Sequence, residues 1–240
     1  MRYYYDLHIH SCLSPCGGDD STPDSIAGMG ELNGLDIMAL TDHNTAKNCP
    51  AFFKAAERHG IIPVAGMELT TAEDIHAVCL FGSLEGAMEF DRLIESRRVL
   101  VENRPDIFGV QIMCDDADNP IETEKFLLTN ATTVSLDEAP AMAERFGGVC
   151  FPAHIDRQAN GIIAVLGVFP ESPAFTCAEL HDREKAAKYA PLCGKAGKRL
   201  IISSDAHYIW DIKEKTDFIE LECERRDAAV QLIRYLRGEL

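Results

Sequence analysis

The sequence has no long apolar run, no paired CxxC motifs and only one tryptophan. None of its apolar segments approaches the roughly 20 residues that a membrane-spanning helix needs, so no transmembrane helix is expected. The N-terminus, MRYYYDLHIH, also lacks the apolar core of a secretory signal. The nine cysteines include no pair of CxxC knuckles, which argues against a structural zinc ribbon. Several of them lie in apolar runs, as free thiols do, so a reducing compartment, the cytoplasm, is the expected location.

Positive charge is scarce as well. The 240-residue chain carries 23 Lys and Arg against 39 Asp and Glu, which gives a formal net charge of −16. Sequence-independent binding to long nucleic acid depends on basic side chains that neutralise phosphates, so no long nucleic acid is expected as a partner. No membrane partner is expected either. The acidic excess fits a solvated surface, and some of the acids are expected to hold cations.

Short apolar runs alternate with helical patterns along most of the chain. The predicted strands are Tyr3–Ile9, Asp36–Leu40, Ile62–Gly66, Ile75–Phe81, Gly148–Pro152, Phe175–Leu180, Leu200–Ser203 and Phe218–Leu221. Thr22, followed by a proline, predicts the start of the first helix, and the spacing of Ser135 and Glu138 predicts a capping box. Gly60 predicts a helix end. The last helix is predicted over residues 227–237.

A strand followed by a helix, repeated about seven times, predicts an α/β fold with a mainly parallel sheet. Segment 101–130 breaks this rhythm, because it contains DDADNP and no clear helix, and it is interpreted as a loop or hairpin insertion. The sequence contains no repeats, linkers or low-complexity tracts. We therefore expect a single domain over residues 1–240.

Potential metal ligands recur where the predicted strands end. In DLHIH, His8 and His10 are two residues apart, so both side chains project from the same face of a strand. Other strand ends carry the same residue types: Asp42 with His43, Glu68, His154, and Asp205 with His207. In a barrel of parallel strands these ends converge on the C-terminal face, where the active site is built. This convergence predicts a metal centre more strongly than any single motif does.

These motifs, DLHIHS, TDHN, GMELTT, PAHIDR and SSDAH, resemble those of the PHP (polymerase and histidinol phosphatase) superfamily, in the same order. The resemblance runs from Asp6 to His207. It implies a distorted (β/α)7 TIM-like barrel with a metal site at the C-terminal ends of the strands. It also implies two to three divalent metal ions, commonly manganese, iron or zinc, and the hydrolysis of phosphate esters.

Carried over residue by residue, the resemblance implies three metal positions that share ligands. The implied ligands are His8, His10 and Asp205 for the first position, Glu68 as a bridge to the second position with His76 and His154, and His43 and His207 for the third. His76 differs from the others, because it lies at the start of a predicted strand. Asp6 and Asp42 flank ligands and are expected to orient an imidazole through hydrogen bonds.

The third metal position shows a departure from the family pattern. Many members supply a histidine or aspartate a few residues after DxHxH, where this chain reads SCLSPCGGDD. Cys16 lies at the spacing where some relatives have histidine, Asp19 or Asp20 is the alternative, and a third alternative is that the chain supplies no ligand. A thiolate would favour zinc or iron, and a carboxylate would favour manganese.

The expected reaction is the attack of a metal-activated hydroxide on phosphorus. Arg157 is expected to bind a phosphate oxygen through its guanidinium. The leaving group needs a proton, and Asp42, His43 and a metal-bound water all stay open as donors. His181 ends a predicted strand and is a further candidate to face the cleft.

The expected substrate is a small phosphorylated molecule, with nucleotides and similar monoesters as the first choice. The alternatives are histidinol phosphate, 5′-3′ digestion of oligonucleotides, and a metal-binding PHP module without catalysis. Trp210 closely follows SSDAHY and leaves room for one stacked base near the metals, whereas the sequence shows no longer aromatic and basic track for a polymer. The oligomeric state is left open.

Overall fold

The computed structural model of the protein describes residues 1–193 and 198–240. The strands of this part are β1 (Arg2–Ile9), β2 (Ile37–Leu40), β3 (Ile62–Thr70), β4 (His76–Phe81), β5 (Ile112–Cys114), β6 (Pro120–Thr123), β7 (Gly148–Pro152), β8 (Cys177–Leu180), β9 (Arg199–Ile202) and β10 (Phe218–Glu220). The α-helices are α1 (Pro23–Leu32), α2 (Cys49–Arg58), α3 (Leu84–Glu95), α4 (Pro105–Phe108), α5 (Ala139–Arg145), α6 (Ile162–Leu166), α7 (Ala186–Cys193) and α8 (Ala228–Leu236). No helix of the described part is long and apolar enough to cross a membrane.

The main sheet has six strands in the order β10-β1-β2-β3-β4-β7. Strands β1, β2 and β3 are parallel, as the alternation of strands and helices predicts. The expectation of a mainly parallel sheet is wrong for β4, which pairs antiparallel with both β3 and β7. The physical reason is the link of residues 71–75 between β3 and β4, because a parallel crossover needs a dozen or more residues. Strand β10 also pairs antiparallel, with the start of β1.

Strands β8 and β9 form a separate parallel pair. Hydrogen bonds connect this pair to the main sheet at the ends of β7 and β1. On one side, the Ile155 N–H after β7 donates to the Glu179 carbonyl of β8 over 2.9 Å. On the other side, the His10 N–H after β1 donates to the Ala206 carbonyl after β9, also over 2.9 Å. This mixed α/β architecture is compatible with a distorted TIM-like barrel. The count of seven β/α units and the single-domain organisation stay predictions.

Each face of the main sheet packs against its own apolar core. The outer core packs the sheet against α1, α2 and α3 and contains Ile26, Phe52 and Phe90. The inner core joins alternate strand residues to α8, which contributes Leu232 and Leu236. It includes Tyr3, Ile37 and Ile62 at the starts of β1, β2 and β3, so it extends toward the strand ends opposite to the ligand-rich ones.

A β-bulge in β1 determines where its histidines point. Asp6 pairs with Met38 and Ile9 with Leu40, so β1 contains one residue more than β2 over this stretch. Leu7 accordingly belongs to the inner core, whereas Ile9 belongs to the outer one. A bulge reverses the alternation of side chains along a strand. The even-numbered positions after the bulge, which include both histidines of DLHIH, therefore face inward.

Segment 101–130 contains α4 and the antiparallel hairpin β5–β6. The hairpin packs on the loop after β1, since the Ile112 N–H donates to the Cys12 carbonyl over 2.9 Å. Its turn also contacts the start of α1, because the Asp118 carboxylate accepts hydrogen bonds from the Thr22 hydroxyl and the Asp24 N–H. Thr22 precedes α1 as predicted, but its hydroxyl binds this turn instead of capping the helix.

Candidate metal centre

Eight histidine and carboxylate side chains meet at one end of the sheet. They are His8 and His10 at the end of β1, Glu68 on β3, His76 at the start of β4, and His43, His154, Asp205 and His207 in the loops after β2, β7 and β9. All of them are buried except His76 and His207, which are half-buried. The antiparallel direction of β4 explains why His76 lies in this cluster, because it places His76 directly opposite Thr70 at the end of β3.

Glu68 lies at the centre of this cluster. Its Oε1 is 2.8 Å from His76 Nδ1 and 3.0 Å from His154 Nε2. Its Oε2 is 3.0 Å from His43 Nδ1. The Nε2 atoms of His8 and His10 each lie 3.4 Å from a carboxylate oxygen of the same residue. One carboxylate is therefore shared among five imidazoles, which is the arrangement of a bridging ligand.

The geometry fits a metal centre better than a network of hydrogen bonds. The Nε2 atoms of His8 and His10 lie 3.1 Å apart and point at each other. Within the described part of the chain, His43 Nδ1 and Asp205 Oδ1 are buried without a hydrogen-bond partner, although charged groups surround both. Buried polar atoms without partners are rare in folded proteins, and a bound cation supplies the partner for such atoms.

The ligand atoms form three overlapping groups in which all members lie within 4.8 Å of one another. The groups are His8, His10, Glu68 and Asp205; His43, Glu68 and His76; and His10, His43 and His207. The first group contains all the residues implied for the first metal position. His154 belongs to none of the three, but it contacts Glu68 directly. Because His10, His43 and Glu68 each occur in two groups, the positions share ligands.

The pKa values of the imidazoles in the cluster shift in both directions: they are lowered for His43 and His207 and raised for His8, His10 and His154. Burial lowers the pKa of His43 to about 3 and that of His207 to about 4, so both imidazoles are neutral, the form that binds metals. Burial also opposes the charged form of His10, but contacts with Asp205 and Glu68 raise its pKa to about 9. Burial alone would raise the pKa of Glu68, yet the surrounding imidazoles hold it well below its usual range. The carboxylate at the centre is therefore ionised.

Two of the candidate ligands have a left-handed backbone. His154 has φ of 24° and Asp205 has φ of 51°, a region that residues with a side chain rarely adopt. Such a conformation persists only where the surrounding structure enforces it, and it concentrates at functional sites. The backbone N–H of His154 donates a hydrogen bond to Glu179 Oε1 over 3.1 Å.

Glu179 is a site residue that the sequence reasoning missed. It is fully buried on β8, and its Oε1 accepts a hydrogen bond from His8 Nδ1 over 2.9 Å as well as from the His154 N–H. A carboxylate on Nδ1 fixes the tautomer of an imidazole and directs Nε2 toward a metal. Glu179 therefore holds two candidate ligands at once. The signal in the sequence was a glutamate inside the apolar strand FTCAEL.

Asp42 acts through a serine. Its Oδ1 accepts hydrogen bonds from the Ser11 N–H and the Ser14 hydroxyl, both over 2.7 Å. Ser14 Oγ in turn lies 2.9 Å from His10 Nδ1. Asp42 thus supports an imidazole, as expected, but through an intervening hydroxyl. Asp6 does not share this role, because its hydrogen bonds come from the backbone N–H groups of Ser204 and Lys213.

We predict that Glu179→Gln reduces metal affinity by roughly 10- to 100-fold, the usual cost of losing such an outer partner. The amide keeps one acceptor for His8 but removes the charge that makes its imidazole a better ligand. The measurement is metal content after dialysis against a metal buffer. Asp91→Asn is the matched control, since Asp91 is a buried carboxylate that binds Thr45 and Ala46 instead. An equal loss in both variants would contradict the assignment.

A cleft of about 530 Å³ opens beside the cluster. Its walls include Cys16, Arg157, His181, Asp205, His207 and Tyr208. The Arg157 guanidinium contacts Asp205 Oδ2 over 2.5 Å and lies 3.2 Å from a ring nitrogen of His181. Both Arg157 and His181 thus line the same opening as the candidate ligands, as their positions after predicted strands suggested.

The three residues considered for the third metal position lie outside the ligand groups found in the described part of the chain. Cys16, Asp19 and Asp20 are all exposed on the loop before α1. Of the three, Cys16 lines the cleft beside Asp205 and His207, and its role as a ligand stays a prediction.

Comparisons with known proteins agree with the motifs. The sequence profile of the PHP domain matches residues 6–130, just over half of the chain. An error-prone DNA polymerase of Symbiobacterium thermophilum is 34% identical over 101 residues, which are 42% of this chain and 9% of the polymerase. The lesion-specific endonuclease PfuEndoQ from Pyrococcus furiosus has a TM-score of 0.64 at 16% identity, over 99% of this chain and 56% of that one. A putative metal-dependent phosphoesterase from Bifidobacterium adolescentis has a TM-score of 0.59 at 16% identity, over 96% and 95%.

These comparisons correct one expectation. An endonuclease Q with this fold has been solved with a 27-mer duplex substrate that carries an abasic lesion at the active site. The expectation that long nucleic acid is excluded as a partner is therefore wrong. Net charge sums over the whole surface, whereas binding depends on the local field at the site and on the cations held there.

Proposed function

Because the chain belongs to the PHP domain family, we propose that it is a metal-dependent phosphoesterase that hydrolyses small phosphate monoesters such as nucleotides. The observation that carries the proposal is Glu68, one buried carboxylate shared by five imidazoles, which lines a pocket of about 100 Å³ together with Arg157, Asp205 and His207. Arg157 in the same cleft supplies a positive charge for a phosphate.

We propose that the three ligand groups, together with His154, hold two to three divalent ions of manganese, iron or zinc. Both Cys16 and Asp20 are exposed, and Cys16 is the favoured additional ligand because it lines the cleft, which Asp20 does not. Bound divalent ions lower the pKa of water and offset negative charge on a phosphoryl group. The ionised carboxylate of Glu68 and the neutral imidazole of His43 support this assignment.

The expected proton donors have different roles in this proposal. His43 is neutral at ordinary pH, which suits a metal ligand and not an acid. Asp42 is buried beneath Ser14, so it is a positioning residue for His10. Arg157 contacts Asp205, and a cation at Asp205 would compete for that carboxylate and leave the guanidinium to bind phosphate. Arg157 is thus the residue assigned to substrate binding.

A phosphate-release screen tests the substrate class. The metal-loaded protein is assayed with nucleoside monophosphates and bisphosphates, sugar phosphates, histidinol phosphate and short 5′-phosphorylated oligonucleotides. We expect release from the nucleotides and related monoesters. Turnover of oligonucleotides alone would replace the proposal with a nuclease, and turnover of histidinol phosphate alone with a histidinol phosphatase. If nothing in the panel is hydrolysed, a metal-binding module without catalysis becomes the explanation.

We predict that Arg157→Ala raises KM for the substrate by roughly 10- to 100-fold, because a hydrogen bond to a charged phosphate is lost. Arg157→Lys is expected to recover part of this loss, since lysine keeps the charge but not the planar fork. Arg226→Ala is the matched control, because Arg226 is exposed and pairs with Glu224 before α8. A KM that is the same in Arg157→Ala and in Arg226→Ala would overturn the role of Arg157.

A nuclease is the second candidate function. It is supported by the partial match to an error-prone DNA polymerase and by the shared fold of endonuclease Q. The chain spans only 9% of that polymerase and about half of the endonuclease, so the activities of the whole proteins are not transferred. The oligonucleotide arm of the screen decides between the two candidates.

A further inference from the structure

One wall of the cleft is aromatic. Tyr208 lines the cleft directly after the candidate ligand His207. The ring of Trp210 lies parallel to that of Tyr208, with 5.9 Å between the ring centroids and 2° between the planes. The two side chains therefore form one stacked aromatic pair, of which Tyr208 lines the cleft. We call this surface, made of Tyr208 and Trp210, the aromatic wall.

The aromatic wall is largely open to solvent. Tyr208 is 46% exposed and Trp210 is 69% exposed, and Trp210 is the single tryptophan of the chain. Exposed large aromatic groups beside a polar site are typical of ligand-binding surfaces, because their faces stack on planar ligands. Both side chains therefore keep much of their surface free of contacts with the rest of the protein.

The loop that contains Gly18 supports the aromatic wall. The Gly18 N–H donates to the His207 carbonyl over 2.8 Å. A side chain at Gly18 would place its Cβ only 3.0 Å from Cδ1 of the Tyr208 ring, so the backbone of the loop packs against that ring. Tyr208 is thus held at a fixed place relative to His207 and to the metal centre.

The lining of the cleft combines two kinds of chemistry. The candidate metal ligands Asp205 and His207, with Arg157 and His181, suit an anionic phosphate. Tyr208, with Trp210 beside it, suits a planar ring system. The cleft volume of about 530 Å³ lies within the range of sites that hold small ligands. A nucleotide has both required parts, a phosphate and a planar base, joined by a sugar.

We propose that Tyr208 and Trp210 stack on the base of a nucleotide whose phosphate ester lies at the metal centre. The inference rests on the proposed phosphoesterase function and deepens it, since it makes the base a determinant of specificity. The nucleotide is either free or the terminal unit of a strand. Stacking tolerates any base, because every base has a π-face, so the wall selects nucleotides over sugar phosphates and not one base over another.

The kinetic test compares AMP with ribose 5-phosphate, which differ by the base alone. Trp210→Ala and Tyr208→Ala are each expected to lower the ratio of kcat/KM for AMP to that for ribose 5-phosphate by roughly 5- to 100-fold. Trp210→Phe should restore part of the ratio. Phe218→Ala is the matched control, because Phe218 is an exposed aromatic residue on β10, which pairs with the start of β1. An unchanged ratio in both alanine variants overturns the proposal.

A binding test is independent of catalysis. Trp210 is the only tryptophan, so tryptophan fluorescence reports on the wall directly. Adenosine, which has no phosphate ester to hydrolyse, is expected to quench this fluorescence in the metal-loaded protein, whereas ribose is not. If adenosine does not quench this fluorescence, the proposal that the aromatic wall binds a base is contradicted. If no phosphate ester is hydrolysed, the proposed function fails, and this titration still decides whether the wall binds a base.

A third comparison distinguishes a free nucleotide from the terminal nucleotide of a strand. The alanine variants are assayed with AMP and with a short 5′-phosphorylated oligonucleotide. A loss with AMP identifies a free nucleotide as the ligand of the wall. A loss confined to the oligonucleotide identifies the terminal nucleotide of a strand, and both results support stacking at the aromatic wall.

Discussion

Glu68→Gln is expected to lower phosphate-ester turnover by more than about 100-fold, which exceeds the 10- to 100-fold cost of losing an outer partner of a metal ligand. The reason is the number of groups that depend on this one carboxylate. Its two oxygens contact five imidazoles, and two of the three ligand groups contain it. Glutamine keeps the shape but removes the charge, and its amide nitrogen cannot bind a cation. The measurements are turnover and metal content of the purified variant.

The comparison needs a folded variant and a matched control. Glu68 has little role in the apolar cores, so we expect the circular dichroism spectrum of the variant to match that of the wild type. Glu220→Gln provides the control, because Glu220 is an exposed glutamate of β10 that pairs with Arg2. Turnover above about a tenth of wild type in a well-folded Glu68→Gln variant would refute the central role of Glu68.

The strands were the most predictable part of the fold. All eight predicted strands are present, with ends that differ by at most four residues, because short apolar runs bounded by turn residues carry a local signal. Strands β5 and β6 were not predicted individually, since β6 is exposed along its whole length and has no apolar pattern. The hairpin they form lies where the sequence predicts a loop or hairpin insertion.

Strand direction was less predictable, and His76 shows the consequence. A parallel sheet would place the start of a strand at the far end from the metal centre. The hairpin of β3 and β4 places His76 beside Glu68 instead, at 2.8 Å. The signal was available in the sequence, because residues 71–75 are too few for a parallel crossover. Link length was therefore more informative here than the repeated alternation of strands and helices.

Partners inside the core could not be predicted at all. The sequence shows that Glu179 lies in an apolar strand, but not which imidazole it binds. That imidazole belongs to His8 on β1, which is 171 positions away in the chain, so only the folded arrangement of β1 and β8 brings the two side chains into contact. The β1 bulge could not be predicted either. Strict alternation from Tyr3 would have turned His8 and His10 to the outer face. Motif spacing found the ligands, whereas tertiary contacts decide how they are held.

Removal of metals by a chelator is expected to abolish phosphate-ester hydrolysis, and re-addition of manganese, iron or zinc should restore it. We expect two to three ions per chain in the reconstituted protein, because the ligand atoms form three overlapping groups. Less than about one equivalent after reconstitution with each of the three metals would contradict the metal centre. Ion binding should also stabilise the fold, by about 2.7 kcal/mol when the free ion is at about 100 times its Kd.

Two histidine variants test whether the metal content depends on the shared ligands. His10 belongs to two of the ligand groups, so His10→Ala is expected to lower metal content by more than one ion per chain and to remove the thermal stabilisation by metal. His59 provides the matched control, because its Nδ1 lies 2.8 Å from Glu31 on the helical surface and it belongs to none of the groups found in residues 1–193 and 198–240. His59→Ala should therefore keep the full metal content. Equal metal loss in the two variants would mean that metal content follows general stability, and the shared-ligand arrangement would then be wrong.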